Sequence, residues 1–418
     1  MDVKVVLESI KQIGLPEVVA RDSDVRKPTA RKIIALVGPR RAGKTYLLYQ
    51  IAKAQQNWYF INLEDERLEL NPALLGEVCA YVSKKSKSLF LDEVDKLPNW
   101  HIALRRVSDD YRNLDFFVSS TSAKLSYPSL PSALRGRVLS YEVLPLSFTE
   151  FLMFKKIKTE PLDEMAIVNI STLLEEYLLF GGFPEIALES NKLTKIDLLN
   201  SYFETTVALD IAEKSGLDYK LVHYVARLLR KRSYYSANKM LEFFKTAGFR
   251  VGKETALKIE SSFAQAYYAA FVEIFSLRAR DVLQYPRKPY LFDTGFIAFG
   301  IGENWWRLYE NAVYLHLRRN KKTGEEINYW KSADGYEVDF VIREGETVKQ
   351  LIQVCYEIES EDTKKRELRA LTKAAKEFAI RECLVITKNL ETEEKVKDIK
   401  IKFIPLCKWL LNDRFGVL

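Results

Sequence analysis

The stretch that decides the fold is Gly38-Pro39-Arg40-Arg41-Ala42-Gly43-Lys44-Thr45, with the pattern G-x4-G-K-T. An apolar run at residues 33–37 precedes it, and a helical pattern that begins at Tyr46 follows it. A loop between a buried strand and a helix can turn its backbone N–H groups inward around phosphate oxygens. The sequence therefore predicts a nucleotide phosphate site over residues 38–46, with Lys44 on the phosphates and the Thr45 hydroxyl on Mg²⁺.

The second stretch that bears on this site is Ser-Leu-Phe-Leu-Asp-Glu at residues 88–93, an apolar strand that ends in two acids. In such a Walker B strand Asp92 lies near the Mg²⁺, and Glu93 orients or deprotonates the attacking water. A strand followed by two acids is a weak motif alone. Together with the loop it predicts that the chain binds ATP with Mg²⁺ and hydrolyses the nucleotide.

Composition bounds the class of protein. The chain has 418 residues, of which 47% are hydrophobic and 29% charged, as expected for two or three globular domains. It contains no uncharged apolar window of about 18 residues and no secretory signal at its start, so we expect a cytoplasmic protein without a membrane partner. The four cysteines and three histidines are widely spaced, which argues against a zinc site or a disulfide framework. The net charge of +7 permits nucleic-acid binding without requiring it.

Strand and helix patterns alternate between residues 31 and 150, with strands predicted at 33–37, 59–63, 89–91, 115–119 and 138–143. This alternation predicts an α/β domain with a parallel sheet. Residues 1–30 are predicted to form a helix over 3–13 and a polar connector, which packs against the nucleotide domain.

Two further features refine the nucleotide site. The strand ending at Ser119 is followed by Ser120-Thr121-Ser122, where a small polar side chain would sense the γ-phosphate; Ser119 and Thr121 are the candidates, although such a run is also typical of a simple turn. Arg135 and Arg137 flank Gly136 before the last strand. AAA+ proteins, which this segment resembles, place here the arginine that reaches the γ-phosphate of a neighbouring subunit. Arg135 or Arg137 is that arginine, with Arg137 preferred, or acts only as a helix C-cap cation.

A family resemblance rests on motifs in both halves of the chain: Val-Gly-Pro-Arg-Arg-Ala-Gly-Lys-Thr (37–45), Phe-Ile-Asn-Leu-Glu-Asp (60–65), Leu-Phe-Leu-Asp-Glu-Val (89–94), Leu-Pro-Leu-Ser-Phe-Thr-Glu-Phe (144–151), Leu-Phe-Gly-Gly-Phe-Pro-Glu (179–185), Leu-Phe-Asp-Thr-Gly (291–295), Tyr-Glu-Asn-Ala-Val (309–313) and Gly-Tyr-Glu-Val-Asp-Phe (335–340). The chain resembles the predicted AAA+ ATPases of archaea and bacteria that carry a C-terminal domain of unknown function. The resemblance implies an AAA+ sheet followed by a helical lid.

Residues 151–275 are predicted to be helical, with a sharp break at Gly181-Gly182-Phe183-Pro184. Helices over 237–245 and 253–269 have helix–turn–helix proportions and suggest a winged helix, with the second helix burying Leu257, Ile259, Phe263 and Tyr267. The module either enters a DNA groove or only packs within the lid. Basic residues nearby are candidates for DNA phosphate contacts: Arg227, Arg230, Lys231, Arg232, Arg250, Lys253 and Lys258.

Residues 276–418 are predicted to form a helix at 305–319 and strands at 327–330, 336–342, 350–356, 383–387 and 402–405, with a helix at 363–378. This order is similar to the PD-(D/E)xK nuclease core, a restriction-endonuclease-like fold. The resemblance places Glu310 on the helix, Asp339 on the second strand and Gln353 on the third. Cys355 stands where that core has lysine and cannot supply a permanent cation. We therefore expect a degenerate site without nuclease activity, unless Lys331 or Glu357 substitutes.

The function predicted from these features is that of an Mg²⁺-dependent AAA+ ATPase that acts on duplex or branched DNA, by remodelling, translocation or processing of the branch. An arginine supplied by a neighbouring subunit implies an oligomer, and the most specific form of this hypothesis is a ring. Two alternatives stay open: a nucleotide-dependent switch that binds a protein partner, and an ATP-coupled nuclease. DNA stimulation of ATP hydrolysis distinguishes the first interpretation from the second.

Overall fold

The computed structural model describes residues 2–22, 25–26, 30–126, 130–158, 164–301, 304–357 and 361–411. The chain divides into two compact units. The first is Met1–Pro145 with Gln265–Tyr267, and the second is Leu146–Ala264 with Tyr268–Leu418. The predicted boundary near residue 275, between lid and C-terminal domain, therefore falls inside the second unit.

The first unit is built on a sheet whose strands run in the order β2-β3-β4-β1-β5, with every pairing parallel. The parallel sheet predicted from the sequence is thus confirmed. Its elements in chain order are α1 (Val3–Ile13), β1 (Ile33–Val37), α2 (Lys44–Lys53), β2 (Tyr59–Asn62), α3 (Leu74–Val82), β3 (Ser88–Asp92), α4 (Trp100–Asp110), β4 (Asp115–Ser120) and β5 (Val138–Glu142). Short 3₁₀ turns occupy Val94–Lys96, Ala123–Leu125 and Ser132–Leu134.

The sheet is held by side chains that its parallel register places side by side. Every residue of β1 and β3 is buried, as expected for strands covered on both faces. Register pairs Phe60 with Phe90 and Phe90 with Phe117, and the rings stack at centroid distances of 6.5 and 4.6 Å. Leu47 and Leu48 of α2 join the same apolar cluster. Packing of α2 on these strands fixes the loop that precedes the helix.

Helix α1 packs beside β2 and α3 through one carboxylate. Oε1 of Glu8 accepts hydrogen bonds from the hydroxyls of Tyr59, at 2.8 Å, and Tyr81, at 2.6 Å. Lys85 Nζ lies 3.0 Å from the same oxygen. The N-terminal helix is therefore part of the first unit.

The second unit begins with a helical region that ends in a two-stranded ribbon. Its elements are α5 (Phe148–Phe154), α6 (Glu164–Phe180), α7 (Pro184–Leu188), α8 (Lys192–Thr205), a π-helical segment (Thr206–Glu213), α9 (Tyr219–Lys231), α10 (Ala237–Thr246), α11 (Lys253–Gln265), β6 (Ala269–Val272), α12 (Ala279–Gln284) and β7 (Lys288–Leu291). Strands β6 and β7 pair antiparallel, and Tyr235 forms an isolated antiparallel bridge with Arg287.

The predicted second helix of the helix–turn–helix is too long. Helix α11 ends at Gln265, and Ala269 begins β6 instead of closing the helix. The predicted burial of Leu257 is also wrong, since this side chain is 51% exposed while Ile259 and Phe263 are buried. The apolar spacing predicted the helix correctly as far as Gln265. The residues predicted to extend it lead into the ribbon β6–β7 instead.

The chain continues into a mixed sheet in the order β12-β13-β11-β10-β9-β8. Its elements are α13 (Gly295–Ile301), α14 (Trp305–Asn320), β8 (Glu325–Lys331), β9 (Glu337–Glu344), β10 (Thr347–Cys355), α15 (Glu361–Glu377), β11 (Glu382–Thr387), β12 (Thr392–Val396), β13 (Ile399–Pro405) and α16 (Leu406–Leu411). Strands β8, β9 and β10 pair antiparallel, and β10, β11 and β13 pair parallel. The edge strand β12 escaped prediction because Thr-Glu-Glu-Lys-Val lacks an apolar pattern, as is common at sheet edges.

Two sequence motifs meet at the break between α6 and α7. Asp293 accepts hydrogen bonds from the backbone N–H groups of Gly182 and Gly295, each at 2.8 Å. Gly181 has φ of +78°, and a Cβ atom there would lie 1.6 Å from Oδ1 of Asp293. Burial raises the pKa of Asp293 to about 7. The predicted sharp break is confirmed, and its glycines make room for a buried carboxyl group.

Helix α14 holds the ribbon to the rest of the second unit. The Asn311 side chain donates to the backbone oxygen of Leu291 and accepts from its N–H, both at 2.8 Å. The buried Arg307 guanidinium donates to the carbonyls of Leu229, at 2.7 Å, and Arg230, at 2.8 Å, at the end of α9. These bonds explain why residues on both sides of position 275 form one compact unit.

Candidate active site

The loop between β1 and α2 is closed around the Lys44 side chain. Lys44 Nζ donates to the carbonyl oxygens of Gly38, at 3.1 Å, and Pro39, at 2.9 Å, and is buried. Burial lowers the pKa of Lys44, and this effect is opposed by the nearby carboxylates of Glu93 and Asp92. The loop thus keeps an ammonium group next to its own backbone, where a phosphate group would find it.

The loop is packed tightly on the chain that follows β5 and on the N-terminal connector. A Cβ atom at Gly38 would lie 2.1 Å from the Val143 carbonyl oxygen, so a side chain has no room there. The buried Arg21 guanidinium donates to the carbonyls of Ala42, at 2.7 Å, and Leu144, at 3.0 Å. Sequence reasoning missed Arg21, because an arginine in a charged connector has the pattern of a solvated residue.

Thr45 and the Walker B acid are in direct contact. The Thr45 hydroxyl donates to Oδ2 of Asp92 at 2.8 Å. The Ser119 hydroxyl donates to Oδ1 of the same carboxylate and accepts from the Glu93 backbone N–H at 2.9 Å. The predicted metal ligands therefore lie together at the carboxyl end of the sheet, although β4 separates β1, which leads into Thr45, from β3, which ends at Asp92. Ser119 thus contacts the side chain of Asp92 and the backbone of Glu93, while the other sensor candidate, Thr121, is buried just after β4.

Glu93 is held in a strained and buried position. Its φ is +53°, and its buried Oε2 atom has no hydrogen-bond partner among the described residues. Burial, with smaller contributions from nearby acids, raises the pKa of Glu93 to about 7. A carboxylate with one unpartnered oxygen and a pKa near neutrality is suited to take a proton from a water molecule.

The donor set fits Mg²⁺ bound together with a nucleotide. Magnesium is usually held by one or two carboxylates, with the remaining positions filled by water and phosphate oxygens. Asp92 supplies one carboxylate and Thr45 a hydroxyl oxygen beside it, and no group of three or more His, Cys, Asp or Glu side chains in the described part of the chain would hold a metal by itself. When bound, ATP supplies the phosphoryl group, and Mg²⁺ neutralises the charge on the phosphate oxygens.

The two finger candidates lie before β5. Arg137 Nε is 3.2 Å from Oδ1 of Asp109, and Arg135 is exposed. The Arg137 carbonyl accepts from the N–H of Ile33, at the start of β1. The phosphate loop follows the other end of β1, about 16 Å away at roughly 3.3 Å per residue. Neither arginine is therefore placed to serve the loop of its own chain.

Comparisons with known proteins agree with this site. Residues 30–152 match an AAA domain, and residues 171–304 and 307–409 match two domains of unknown function, DUF8612 and DUF4143. Over 98% of its length the chain is 32% identical to the uncharacterized protein MJ1544 of Methanocaldococcus jannaschii, of which 95% is covered. The chain belongs to the same family as MJ1544. An uncharacterized protein of Haemophilus influenzae is 25% identical to the chain. This match covers 78% of the chain and 83% of the Haemophilus protein.

Solved structures give weaker matches to this family member. McrB of Thermococcus gammatolerans, in an assembly of AAA+ hexamers with bound McrC, has 16% identity, covers 36% of the chain and 33% of its own, and has a TM-score of 0.20. PCH-2 of C. elegans has 16% identity, 48% and 55% coverage, and a TM-score of 0.25. Cdc6p of Pyrobaculum aerophilum has 12% identity, 58% and 82% coverage, and a TM-score of 0.26. At these scores the matches carry no further conclusion.

Most of the predicted DNA-contact residues of this family member are exposed. Arg227, Lys231, Arg232, Arg250, Lys253 and Lys258 all reach solvent. The prediction for Arg230 is wrong, because its side chain is buried and its guanidinium lies 3.5 Å from the centroid of the Phe203 ring. Arg230 occupies an inward-facing position of α9, next to Leu229, and is packed in the interior instead of facing solvent.

The nuclease-like residues come together, but around a cation that the sequence did not point to. Glu310 lies on α14, Asp339 on β9 and Gln353 on β10, as the resemblance implied. Lys288 of β7 contacts both acids, while Lys331 is 3.3 Å from Glu337. Lys288 could not be singled out from the sequence, because it lies before the nuclease-like pattern on a strand of only four residues. Among the described helices, none has an apolar stretch long enough to cross a bilayer.

Proposed function

We propose that this protein is an Mg²⁺-dependent AAA+ ATPase that acts on DNA. The observation that carries the ATPase part is the Thr45–Asp92–Ser119 chain of hydrogen bonds, with Glu93 beside it and its Oε2 atom unpartnered. These are the parts that phosphoryl transfer needs: a metal position, an ammonium group and a carboxylate beside them.

Each residue has a separate role in this proposal. Lys44 and the loop N–H groups bind the phosphates, and Thr45 with Asp92 holds the metal ion. Glu93 accepts a proton from the attacking water. Ser119 holds the Asp92 carboxylate and the Glu93 backbone in register and acts as the sensor, with Thr121 as the second candidate.

Completion of the site by another subunit is part of the proposal. Arg135 and Arg137 lie at the opposite end of β1 from the phosphate loop. An arginine contributed by a neighbouring subunit therefore makes the active form an oligomer, and a ring lets every subunit receive such an arginine. Arg137 remains the first choice. Its ion pair with Asp109 is exposed on both sides, so its disruption on assembly costs little.

The DNA part rests on α9, α10, α11 and the ribbon β6–β7. Three helices followed by a two-stranded antiparallel ribbon, with Tyr235 bridging to Arg287, support a winged helix. In such a module α11 is the groove-entering helix. Lys253 and Lys258 are exposed on α11, and Arg250 is exposed just before it, so phosphate contacts are available along one element.

The test is DNA binding measured by fluorescence anisotropy with labelled single-stranded, duplex and four-way-junction DNA over a range of salt. Lys253→Glu/Lys258→Glu is expected to weaken binding at least tenfold and to flatten the slope of log affinity against log salt by about one per lost contact. A matched control is Lys395→Glu/Lys397→Glu, which reverses two exposed lysines, one on β12 and one in the turn that follows it. Equal loss in both pairs, or no binding of any DNA at low salt, contradicts the proposal and favours a nucleotide-dependent switch with a protein partner.

A further inference from the structure

A buried lysine lies at the centre of the nuclease-like cluster. Lys288 Nζ is 3.0 Å from Oε1 of Glu310, 2.8 Å from Oε1 of Glu337 and 2.9 Å from Oδ1 of Asp339. The Lys288 side chain is only 4% exposed. An ammonium group has three N–H donors, and here each one has its own carboxylate.

Neighbouring groups occupy other oxygens of the same side chains. Oδ2 of Asp339 accepts from the Val354 N–H at 3.0 Å. Gln353 Oε1 accepts from the Asp339 N–H at 3.2 Å, and its amide donates to Glu367 at 2.7 Å. The carboxylate and amide that the nuclease resemblance would place on a metal are therefore oriented by the protein itself.

Further hydroxyl groups complete the cluster. The Tyr290 hydroxyl donates to Oε1 of Glu310 at 2.7 Å, and the Tyr234 hydroxyl donates to Oε2 of Glu337. A divalent ion would require oxygens at about 2.0–2.6 Å from one point. The observed spacing around Lys288 Nζ is that of charge-assisted N–H···O hydrogen bonds.

The electrostatics of the cluster depend on the lysine. Its neighbouring carboxylates keep the pKa of Lys288 well above its usual range despite burial. Lys288 in turn lowers the pKa of Glu310 and of Glu337 against the effect of burial. Buried carboxylates need a compensating cation, and Lys288 supplies one, although burial still raises the pKa of Asp339 to about 7.

We propose that the Lys288 ammonium group takes the place of a divalent cation in the C-terminal domain, so that the cluster admits a metal ion only when this lysine is removed. The metal implied by the nuclease resemblance does not fit the residues present, since its position is filled from β7. The cluster also ties the ribbon β6–β7 to α14 and β9. This role of Lys288 does not depend on the proposed ATP hydrolysis or on DNA binding.

The test measures Mn²⁺ binding by the loss of the free-ion EPR signal. It uses nucleotide-free protein that carries Asp92→Asn to silence the loop site. With Lys288 intact, we expect no Mn²⁺ to bind in this cluster. Asp339→Asn should therefore leave the amount of bound Mn²⁺ unchanged. Lys288→Ala is expected to bind one Mn²⁺ per chain, at least tenfold more tightly than its parent, and Asp339→Asn in that variant is expected to abolish the gain. Lys331→Ala is the matched control, because it removes a lysine near Glu337 without opening the centre.

Two outcomes would overturn the proposal. The first is that the parent protein, with Lys288 intact, binds Mn²⁺ and that Asp339→Asn abolishes this binding. The second is a folded Lys288→Ala variant that binds no Mn²⁺ in this cluster. If Lys288→Ala is too unstable to purify, Lys288→Val keeps a residue suited to a strand and leaves the Nζ position open, and a rise of its Tm with added Mn²⁺ reports the same site. An unchanged Tm in that variant counts against the proposal.

Discussion

The Thr45 hydroxyl donates a 2.8 Å hydrogen bond to Oδ2 of Asp92. This bond joins the start of α2 to the end of β3, although β1 and β3 are separated in the sheet by β4. Strand β4 contributes Ser119 to the other oxygen of the same carboxylate. The candidate metal site therefore depends on three strand ends at one edge of the sheet.

Ser119 is predicted to matter for hydrolysis and not only for folding. Ser119→Ala removes the hydrogen bond to Asp92 and leaves the buried Glu93 N–H without its partner, at a cost of about 1–3 kcal/mol in stability. We expect the ATPase rate to fall at least tenfold. Ser120→Ala is the matched control, since Ser120 is also buried and accepts from the Ser122 N–H at 3.0 Å. Similar losses of Tm but a normal rate in Ser120→Ala support the role of Ser119; equal rate losses count against it.

Glu93 is predicted to act in the chemical step. Glu93→Gln keeps the size of the side chain but removes the proton acceptor, so we expect hydrolysis to fall by at least about a hundredfold. Binding of a fluorescent ATP analogue should stay within about threefold of wild type. Lys44→Ala is the contrasting variant, because it should lose binding as well. Wild-type hydrolysis by Glu93→Gln would exclude Glu93 as the base.

The pH dependence of hydrolysis follows from the same residue. Because the pKa of Glu93 is raised to about 7 by burial, its carboxylate form is depleted below neutral pH. The ratio kcat/KM, which reports ionisations of the free enzyme, should therefore rise through about pH 7 and then level off. The sign for stability is opposite: folding raises the pKa of this acid above its ordinary 4.5, so Glu93 destabilises the folded protein increasingly as pH rises towards 7. A flat kcat/KM between pH 5.5 and 8 would contradict the assignment.

Gly181 is predicted to be among the least replaceable glycines of the second unit. In Gly181→Ala the new methyl group meets the Asp293 carboxylate at a backbone φ of +78°. We expect a loss of at least about 3 kcal/mol in the free energy of unfolding. Gly216→Ala is the control, because its φ is +67° but no atom lies within 4 Å of the added Cβ, and it should cost only about 1–2 kcal/mol. Equal costs in denaturant unfolding would show that only backbone strain matters.

The nucleotide domain was predictable because its signals are local. Strand β1 is apolar throughout, the glycine-rich loop follows at once, and β3 ends in two acids. The parallel order of the strands follows from their alternation with helices. The contribution of Arg21 was not predictable, since it acts by reaching Ala42 and Leu144 through contacts distant in sequence.

The C-terminal cluster shows the same limit. Glu310 and Asp339 were found from their positions on a helix and a strand, whereas Lys288 lies on a four-residue strand without a distinctive pattern. Arg230 shows the reverse error. A basic residue in the last turn of a helix has the pattern of a solvent-facing cation, and only the packing of Phe203 reveals that it is buried.

The most direct test of the account is steady-state ATP hydrolysis at low salt, with and without single-stranded, duplex and four-way-junction DNA, for wild type beside Glu93→Gln. The account predicts Mg²⁺-dependent turnover that is lost in Glu93→Gln, rises several-fold with one form of DNA, and falls back as salt screens the phosphate contacts. Turnover that is slow and equal with every DNA would contradict the DNA function. Turnover that survives in Glu93→Gln would contradict the site itself.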